Sequence, residues 1–395
     1  MKTILWGDGV HDDTAAIQER IDEAHRELSL PDPEVCYLVS RPLEPPSDFR
    51  LVLPRFAEVR LAPGSNCLML KNKTVSDRKE RVTNPFWDYV NDFSDEYSSK
   101  NIEVTGGVWN FNNRNQAPNP MEARDFKPGG KSYTGMIMLF FRVDGLRLSS
   151  MTFKDPVTYA ATLDAVTHFT VDHIRFDYNH GNPRATNMDG IHLDGGCRFG
   201  ELFDLKGACF DDLVALNADE ATSGPISDIT ICGIYAEGCH SAVRLLSANY
   251  PVTNVHISDV YGTYFQYCIG ISRFYPTRSH GFFDGITLDR IYASKAPRLD
   301  VYGKKGTYVY PLIWIQSGLL IGSLRISELH RREEENTVET IYVDENAEIR
   351  DLVLDHVVTE NHVGGEMPLF VNRGKVDRLS ARDLLADGES VTLSV

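Results

Sequence analysis

The most regular feature of the chain is a repeated triplet of apolar or small residues at positions i, i+2 and i+5. The first two positions alternate with the period of a β-strand, and the longer step to i+5 indicates a bend before the next inward-facing residue. Each unit is therefore interpreted as a short strand, a bend and a further strand. The ten triplets begin at Ile102, Leu146, Phe169, Phe203, Ile229, Val255, Ile286, Leu324, Leu352 and Leu379.

A second series of strand-like segments lies between these triplets, with no helical period between the two series. The triplets start 23 to 44 residues apart, and one gap leaves room for a further coil. Two or three strands per repeat at this spacing favour a right-handed parallel β-helix, an all-β solenoid, over leucine-rich or α-helical repeats. The pattern predicts a single domain over residues 1–395 with about ten coils. The segments are Met136–Val143, Ala160–Val166, Gly190–Asp194, Leu213–Asn217, Ser241–Leu246, Ile269–Phe274, Leu312–Gln316, Thr340–Val343 and Leu369–Asn372.

The ends of such a stack need caps, because they would otherwise expose unpaired strand edges and an open core. Residues 1–30 are predicted to form an N-terminal cap with an amphipathic helix that begins at Asp12 and Asp13. Residues 70–135 interrupt the repeat and are rich in Asn, Asp, Pro, Lys and aromatic residues, so they are predicted to be a loop-rich insertion beside a binding cleft. The apolar residues of the helix are Ile17, Ile21, Ala24 and Leu28.

Composition narrows the possible partners. Lys and Arg total 40 and Asp and Glu total 56, which gives a net charge of −16 without a basic block, so nucleic acid and membrane partners are not expected. Seven cysteines lack a Cys-x-x-Cys pair or zinc-site spacing and are expected to be mostly buried free thiols. No signal-peptide core is visible, so the chain as given is expected to be cytoplasmic, or secreted or periplasmic if a leader was removed. Nothing in the sequence indicates an oligomeric state.

Polar residues precede the strands of the second series, where adjacent coils would place them in one column about 4.8 Å apart. Asp189 precedes one strand, Asp211 and Asp212 precede the next, His240 the one after, and Arg273 lies near the end of the following strand. Neighbouring carboxylates repel each other, which raises at least one pKa and provides an acid and a base together. Glycosidic hydrolysis with inversion uses such a pair, about 6.5–9.5 Å apart.

Each of these polar residues, considered alone, could instead be an ordinary turn residue, since Asp is common in turns. Asp194, Asn217 and Asp219 are interpreted as turn residues or as supports behind the site. His192 is equally compatible with a place in the cleft and with a hydrogen-bonded structural role.

Several motifs resemble known families. The segment Gly7-Asp8-Gly9-Val10-His11-Asp12-Asp13-Thr14 resembles the opening signature of the pectate-lyase-like β-helix superfamily. Asn187-Met188-Asp189-Gly190 resembles the Asn-Thr-Asp-Gly motif of polygalacturonases, glycoside hydrolase family 28. Phe210–Leu216 resembles that family's Asp-Asp segment, Gly238–Ser241 its Gly-His-Gly segment, and Gly270–Phe274 falls where its Arg-Ile-Lys segment belongs.

The resemblance implies a role for each matched residue and implies no metal or other cofactor. Asp211 would be the general acid, and Asp189 and Asp212 would hold and activate the water. His240 would support the acid or orient the leaving group. Asn187 would shape the water site, and Arg273 would bind the substrate through a carboxylate. Together with His192 and Arg244, which the resemblance does not assign, they are the candidate substrate-binding residues.

The chain also departs from the family pattern. Ser241 replaces a glycine, Arg244 falls where an inward aliphatic residue is expected, and only one basic residue occupies the Arg-Ile-Lys segment. Arg244, Arg273 and Arg278 could together restore a basic pocket, or the sugar could be neutral or a different acidic sugar.

The leading hypothesis is an inverting, polygalacturonase-like glycoside hydrolase whose partner is a pectic or uronic-acid-containing carbohydrate. The insertion at 70–135 would favour an exo mode by closing one end of the cleft. One alternative is a metal-dependent β-helix polysaccharide lyase. Another is a non-catalytic carbohydrate-binding or tail-fibre β-helix.

Overall fold

The computed structural model describes residues 3–73, 91–92, 94–117, 135–178, 187–273, 280–297 and 309–393. It contains the helix α1 (Thr14–Glu23), a 3-10 turn at Asn113–Asn115 and thirty strands. The strands are β1 (Asp8–Asp12), β2 (Glu27–Ser29), β3 (Cys36–Val39), β4 (Phe49–Val52), β5 (Glu58–Leu61), β6 (Leu70–Lys71), β7 (Asn91–Asp92), β8 (Ser99–Thr105), β9 (Val108–Asn110), β10 (Met138–Phe141), β11 (Val143–Ser149), β12 (Thr152–Lys154), β13 (Ala161–Asp164), β14 (Thr167–Asp177), β15 (Ile191–Leu193), β16 (Arg198–Ala208), β17 (Asp212–Asn217), β18 (Thr222–Ser223), β19 (Ile226–Cys239), β20 (Ser241–Leu246), β21 (Val252–Tyr264), β22 (Ile269–Ser272), β23 (Gly281–Lys295), β24 (Ile313–Ile315), β25 (Leu319–Glu333), β26 (Ile341–Val343), β27 (Glu348–Asn361), β28 (Phe370–Asn372), β29 (Lys375–Ala386) and β30 (Glu389–Ser390).

These strands stack into the predicted right-handed parallel β-helix. An 18-stranded sheet contains the long strands, and a 10-stranded sheet runs in the order β28-β26-β24-β22-β20-β17-β15-β13-β10-β6. Every coil from β10 onward thus contributes one strand to the second sheet. The pairings are parallel except for the β29–β30 hairpin at the C-terminal end. We call the 18-stranded sheet the first sheet and the 10-stranded sheet the second sheet.

The i, i+2, i+5 triplet has a physical cause in the backbone of the first sheet. The residue at i+4 has a positive φ in every triplet that is in register, which turns the strand between i+2 and i+5. Residues before and after that bend pair with the next coil, while the bent residue itself is skipped, as at His173 and Asp204. One long strand therefore supplies two legs of the coil. The bend residues are Gly106, Ser150, His173, Asp204, Gly233, Asp259, Arg290, Glu328, His356 and Asp383.

Nine of the ten predicted triplets are in register, and the one at Phe203 is wrong. The inward residue opposite Phe169 is Gly200, and Phe203 instead pairs with Asp172. A Cβ at Gly200 would lie 2.1 Å from the Phe169 ring. The Phe169 ring therefore occupies the space that a side chain at position 200 would need. The first residues of consecutive triplets otherwise pair directly, as Ile102 does with Leu146 and Ile286 with Leu324, so no gap holds a further coil.

The N-terminal cap differs in detail from its prediction. Helix α1 ends at Glu23, and Leu28 lies in strand β2. Ile17 and Ile21 of the helix are fully buried in the main core cluster, which agrees with a capping position. The Asp13 carboxylate does not cap the helix but accepts hydrogen bonds from the backbone of Trp6 and Gly7, at 2.6 and 3.1 Å.

The range 70–135 is not one continuous insertion. Strands β8 and β9 lie inside it, and both pair with neighbouring coils of the first sheet. Two predictions overlap in this range, because the Ile102 triplet was assigned to a coil and residues 70–135 to an insertion. The structure contains the predicted coil at Ile102. The parts at 74–90 and 118–134 lie outside the described residues, as does Arg278.

The interior of the stack is apolar. Matching inward residues of successive coils are fully or almost fully buried and belong to one continuous cluster. All seven cysteines are free thiols, and five of them are buried. Helix α1 has ten residues, and the described part of the chain has no helix of sufficient length and hydropathy to cross a membrane. The residues of one inward column are Ile229, Val255, Ile286, Leu324 and Leu352.

We predict that the close approach of adjacent coils makes Gly262 far less replaceable than Gly238. Gly262 has φ +132°, and an added Cβ would lie 1.6 Å from the Ala236 carbonyl oxygen. Gly238 has φ +61° with nothing within 4 Å of an added Cβ. Gly262→Ala should lower the free energy of unfolding by about 3 kcal/mol or more, and Gly238→Ala by about 1–2 kcal/mol. Urea unfolding of both variants checks this, and equal losses would contradict the described packing.

Candidate active site

The register of the second sheet decides which predicted residues meet. Ile191 pairs with Val214, which places Asp189 level with Asp212, and the Gly190 N–H donates to the Asp212 carbonyl oxygen at 3.0 Å. Asp212 in turn pairs with Ser241. The prediction placed His240 in one column with Asp189 and Asp212. His240 is instead level with Asp211, one residue away from its predicted position. The reason is that strands β17 and β20 begin at Asp212 and Ser241.

Asp212 is surrounded by hydrogen-bond donors. Its Oδ1 accepts a hydrogen bond from the Ser241 hydroxyl and another from the Tyr267 hydroxyl at 3.2 Å. Its Oδ2 lies 3.7 Å from Nη1 of Arg244. Burial and the charge of Asp211 raise the pKa of Asp212, while Arg244 and the donors oppose that rise.

Asp211 and His240 form a second contact on the same two coils. Nδ1 of His240 lies 3.6 Å from Oδ1 of Asp211 and 2.9 Å from the Ser241 hydroxyl. The His240 ring packs edge-on against Phe265, with ring centroids 5.2 Å apart. The Asp211 side chain is 12% exposed, against 5% for Asp189 and 2% for Asp212, so Asp211 is the carboxylate most accessible from outside.

Asp189 is held from behind by His192. Oδ2 of Asp189 lies 2.7 Å from Nδ1 of His192, within hydrogen-bond distance. The ring stacks on Tyr159, with centroids 4.1 Å apart and an interplanar angle of 8°. Burial and the charge of Asp211 raise the pKa of Asp189 well above its usual range. His192 is buried on all sides, so the structure favours a supporting role over the predicted direct contact with substrate.

A second acidic group lies on the far side of His192. Its Nε2 is 3.3 Å from Oδ1 of Asp194 and 3.2 Å from Oε2 of Glu220, and the Asn217 amide nitrogen is 3.1 Å from the same Nε2. Burial raises the pKa of Asp194 to about 7. Burial lowers the pKa of His192, but the surrounding carboxylates raise it by more, and the net shift is upward.

Glu220 was missed by sequence reasoning. It follows strand β17 in a turn, where neither strand period nor a motif marks it, yet it is buried. Asp219 has a structural role as predicted for a turn residue, since its Oδ2 accepts hydrogen bonds from the backbone of Ala248 and Asn249 at 2.6 and 3.0 Å.

Arg244 does not point inward. It pairs with Ala215 and Gly270, in the outward-facing positions of the second sheet, and its Nε donates to the Ser272 hydroxyl at 3.0 Å. Its guanidinium thus lies between Asp212 and Ser272. This position suits a residue that orients Asp212.

Arg273 is not brought together with the carboxyl groups, whereas Asn187 lies close to Asp189 in the sequence. Arg273 follows strand β22, two coils beyond Asp212, which corresponds to about 10 Å along the stack. Leu246 pairs with both Asn217 and Ser272, so Arg273 follows the end of the strands opposite to the one at which Asp212 lies. Its backbone N–H donates to the Gln316 side chain at 2.7 Å. Asn187 has a left-handed backbone, with φ +51°, two residues before Asp189.

Aromatic residues that the motifs did not indicate surround the Arg244 side of the site. Tyr267, Tyr310 and Trp314 pack together, with centroid distances of 5.9, 5.7 and 4.9 Å. The Tyr267 ring covers Gly270, where a Cβ would lie 2.6 Å from a ring carbon. Aromatic surfaces of this kind pack against the apolar faces of ligands while their polar edges form hydrogen bonds.

Two buried groups in the described residues have ligand atoms close enough to hold a metal ion. One consists of Asp211, Asp212 and His240, and the other of His192, Asp194 and Glu220. In each, the ligand atoms lie within 4.8 Å of one another.

We predict that Asp194 makes folding stability fall as the pH rises from about 4 to about 7. Its pKa is higher in the folded chain than in the unfolded chain, so the folded chain binds more protons in this window and loses that advantage as the pH rises. The full effect is up to about 4 kcal/mol. Urea unfolding in chelator-treated buffer should show a smaller fall for Asp194→Asn than for the unchanged protein. The exposed control Asp377→Asn should keep the original slope, and an unchanged slope in Asp194→Asn would contradict the prediction.

Comparisons with known proteins support the fold. No protein-family model matches the sequence, and no curated protein matches it. The structure resembles a family 28 exopolygalacturonase from Yersinia enterocolitica, with TM-score 0.59 and 12% identity over 98% of this chain and 77% of that one. It also resembles an endo-xylogalacturonan hydrolase from Aspergillus tubingensis, with TM-score 0.57 and 12% identity over 93% of this chain and 98% of that one.

A third similar structure is a tailspike protein mutant of the E. coli bacteriophage HK620 in complex with a pentasaccharide. Its TM-score is 0.56 at 12% identity, over 97% of this chain and 63% of that one. At this level of identity the similarities concern the fold. The chain has the polygalacturonase-like right-handed parallel β-helix fold.

Proposed function

We propose that the protein is an inverting glycoside hydrolase that cleaves a polysaccharide or oligosaccharide, and that its substrate contains pectic or other uronic acid sugars. The observation that carries the proposal is the grouping of Asp189, Asp211 and Asp212 on two adjacent coils, where burial raises the pKa of Asp189 and of Asp212. Hydrolysis with inversion requires one protonated and one ionised carboxyl group on either side of the glycosidic bond.

Asp211 is assigned as the general acid. It is the most accessible of the three carboxyl groups, so it can reach the oxygen of the leaving sugar. His240 stands 3.6 Å from Asp211, where it can support the acid and, after proton transfer, stabilise the carboxylate that forms.

Asp212 and Asp189 are assigned to the water. The hydroxyl groups of Ser241 and Tyr267 and the charge of Arg244 favour the ionised form of Asp212, which a general base requires. Asp189 lies level with Asp212 on the neighbouring coil, about 4.8 Å away along the stack. The two side chains can therefore hold one water between them, and Asp212 can accept its proton during attack on the anomeric carbon.

The substrate would run along the stack of coils. Beyond Asp212 it would meet Tyr267 and the neighbouring Trp314. Arg273 follows the opposite end of strand β22, so the substrate would reach it across the sheet, and its guanidinium matches a sugar carboxylate. Arg273 is the basic residue proposed to favour uronic acid units.

We predict that Asp189→Asn, Asp211→Asn and Asp212→Asn each lower kcat by at least about 100-fold, because each removes a group that transfers a proton or holds the water. Reducing-end assays on defined pectic and uronic oligosaccharides measure this, with circular dichroism as the test of folding. Asp377→Asn, which changes an exposed aspartate in strand β29, is the matched control and should retain full activity. Full activity in all three cluster variants would refute the proposal.

Product analysis separates this proposal from its alternatives. Hydrolysis adds one water to the summed mass of the products, and proton NMR of the first product should show the inverted anomer. Unsaturated products without added water, together with loss of activity in chelator, would identify a lyase. Tight binding of the oligosaccharide without any product would identify a binding protein.

A further inference from the structure

The group formed by His192, Asp194, Glu220 and Asn217 is separate from the acid and base assigned above. All four side chains are buried, and three of them converge on one atom, Nε2 of His192. We call these residues the His192 cluster. We propose that the His192 cluster binds one divalent first-row transition-metal ion, with Zn²⁺ as the best match.

Three atoms able to bind a metal ion converge in the His192 cluster. Nε2 of His192 faces a carboxylate oxygen of Asp194 at 3.3 Å and one of Glu220 at 3.2 Å. A proton on Nε2 can compensate these carboxylates in the metal-free chain, and a bound cation would take the place of that proton. Buried charges are normally paired or coordinate a metal.

The distances between ligand atoms in the His192 cluster match those of a Zn²⁺ site. A tetrahedral Zn²⁺ site with bonds of about 2.0–2.1 Å separates its ligand atoms by about 3.3–3.4 Å. The distances from Nε2 to the two carboxylate oxygens match this separation. Imidazole nitrogen and carboxylate oxygen are both ligands of Zn²⁺, whereas Mg²⁺ and Ca²⁺ prefer oxygen ligands alone.

The Asn217 side chain can supply a fourth ligand atom. Its Oδ1 is buried and has no hydrogen-bond partner, while its amide nitrogen lies 3.1 Å from Nε2 of His192 and 2.8 Å from Oε2 of Glu220. The two ends of an amide are exchanged by a half-turn of the side chain. That half-turn would aim Oδ1 into the His192 cluster as a fourth ligand and give this oxygen a partner.

Nδ1, the other ring nitrogen of His192, faces the carboxyl group of Asp189. A histidine that binds a metal usually donates its other ring N–H to a carboxylate, which fixes its tautomer and orientation. Asp189 occupies this position at 2.7 Å from Nδ1. The metal site would thus share His192 with the catalytic group, and occupancy would be linked to the position of Asp189.

The test uses the full chain stripped with a chelator and then dialysed against Co²⁺ or Zn²⁺, with Mg²⁺ as a control ion. We expect one ion per chain by elemental analysis and the intense visible bands of tetrahedral Co²⁺. Glu220→Gln and Asp194→Asn should each weaken binding at least tenfold, and Asp189→Asn about 10–100-fold, through the orientation of His192. Zn²⁺ but not Mg²⁺ should raise the melting temperature of the unchanged protein.

A surface group of Glu328, His330 and His356 also has ligand atoms within 4.8 Å of one another and provides the matched control. The double variant His330→Ala/His356→Ala should keep the tightly bound ion. The proposal is overturned if no ion binds, if binding is lost in this double variant, or if Glu220→Gln binds as tightly as the unchanged protein. Circular dichroism and the melting temperature of the metal-free variants identify any variant that fails to fold. If either Glu220→Gln or Asp194→Asn fails to fold, the metal affinity of the other variant tests the proposal.

Discussion

Adjacent coils of this protein are held in one register, and the site depends on that register more than on any single contact. The left-handed residue at i+4 of each triplet turns every long strand at the same place, so the same side chains face inward in each coil. Inward residues such as Ile229, Val255 and Ile286 then stack in a column. A shift of one residue would turn the buried column outward, which the hydrophobic effect opposes in every coil at once.

The same register brings charged groups together that would not otherwise be neighbours. Asp189 and Asp212 lie 23 positions apart in the sequence and level with each other in the sheet. Bringing buried carboxylates together is unfavourable, and part of this cost is offset by hydroxyl donors, by Arg244 and by retained protons. The apolar stack stabilises the arrangement, which lets the protein hold three carboxyl groups in a position that their mutual repulsion disfavours.

Sequence reasoning predicted the fold because periodic apolar residues report directly on the coil. It failed at Phe203, because Gly200 occupies the first inward position and the Phe169 ring fills the space, so no apolar side chain marks the start of this triplet.

The site was predicted in part. Motifs marked Asp189, Asp211 and Asp212, but the exact start of each strand, which sets His240 beside Asp211 and turns Arg244 outward, depends on pairing between coils. Glu220 carries no periodic or motif signal, and only the turn after β17 brings it to His192.

The proposed function requires that the stacked coils keep at least one carboxyl group of the Asp189, Asp211 and Asp212 group protonated at neutral pH. Infrared difference spectroscopy tests this directly, because a protonated carboxyl group has a carbonyl band that a carboxylate lacks. We expect such a band at pH 7 in the unchanged protein, and its loss or displacement in Asp189→Asn. Complete ionisation of all carboxyl groups by pH 6 would contradict it.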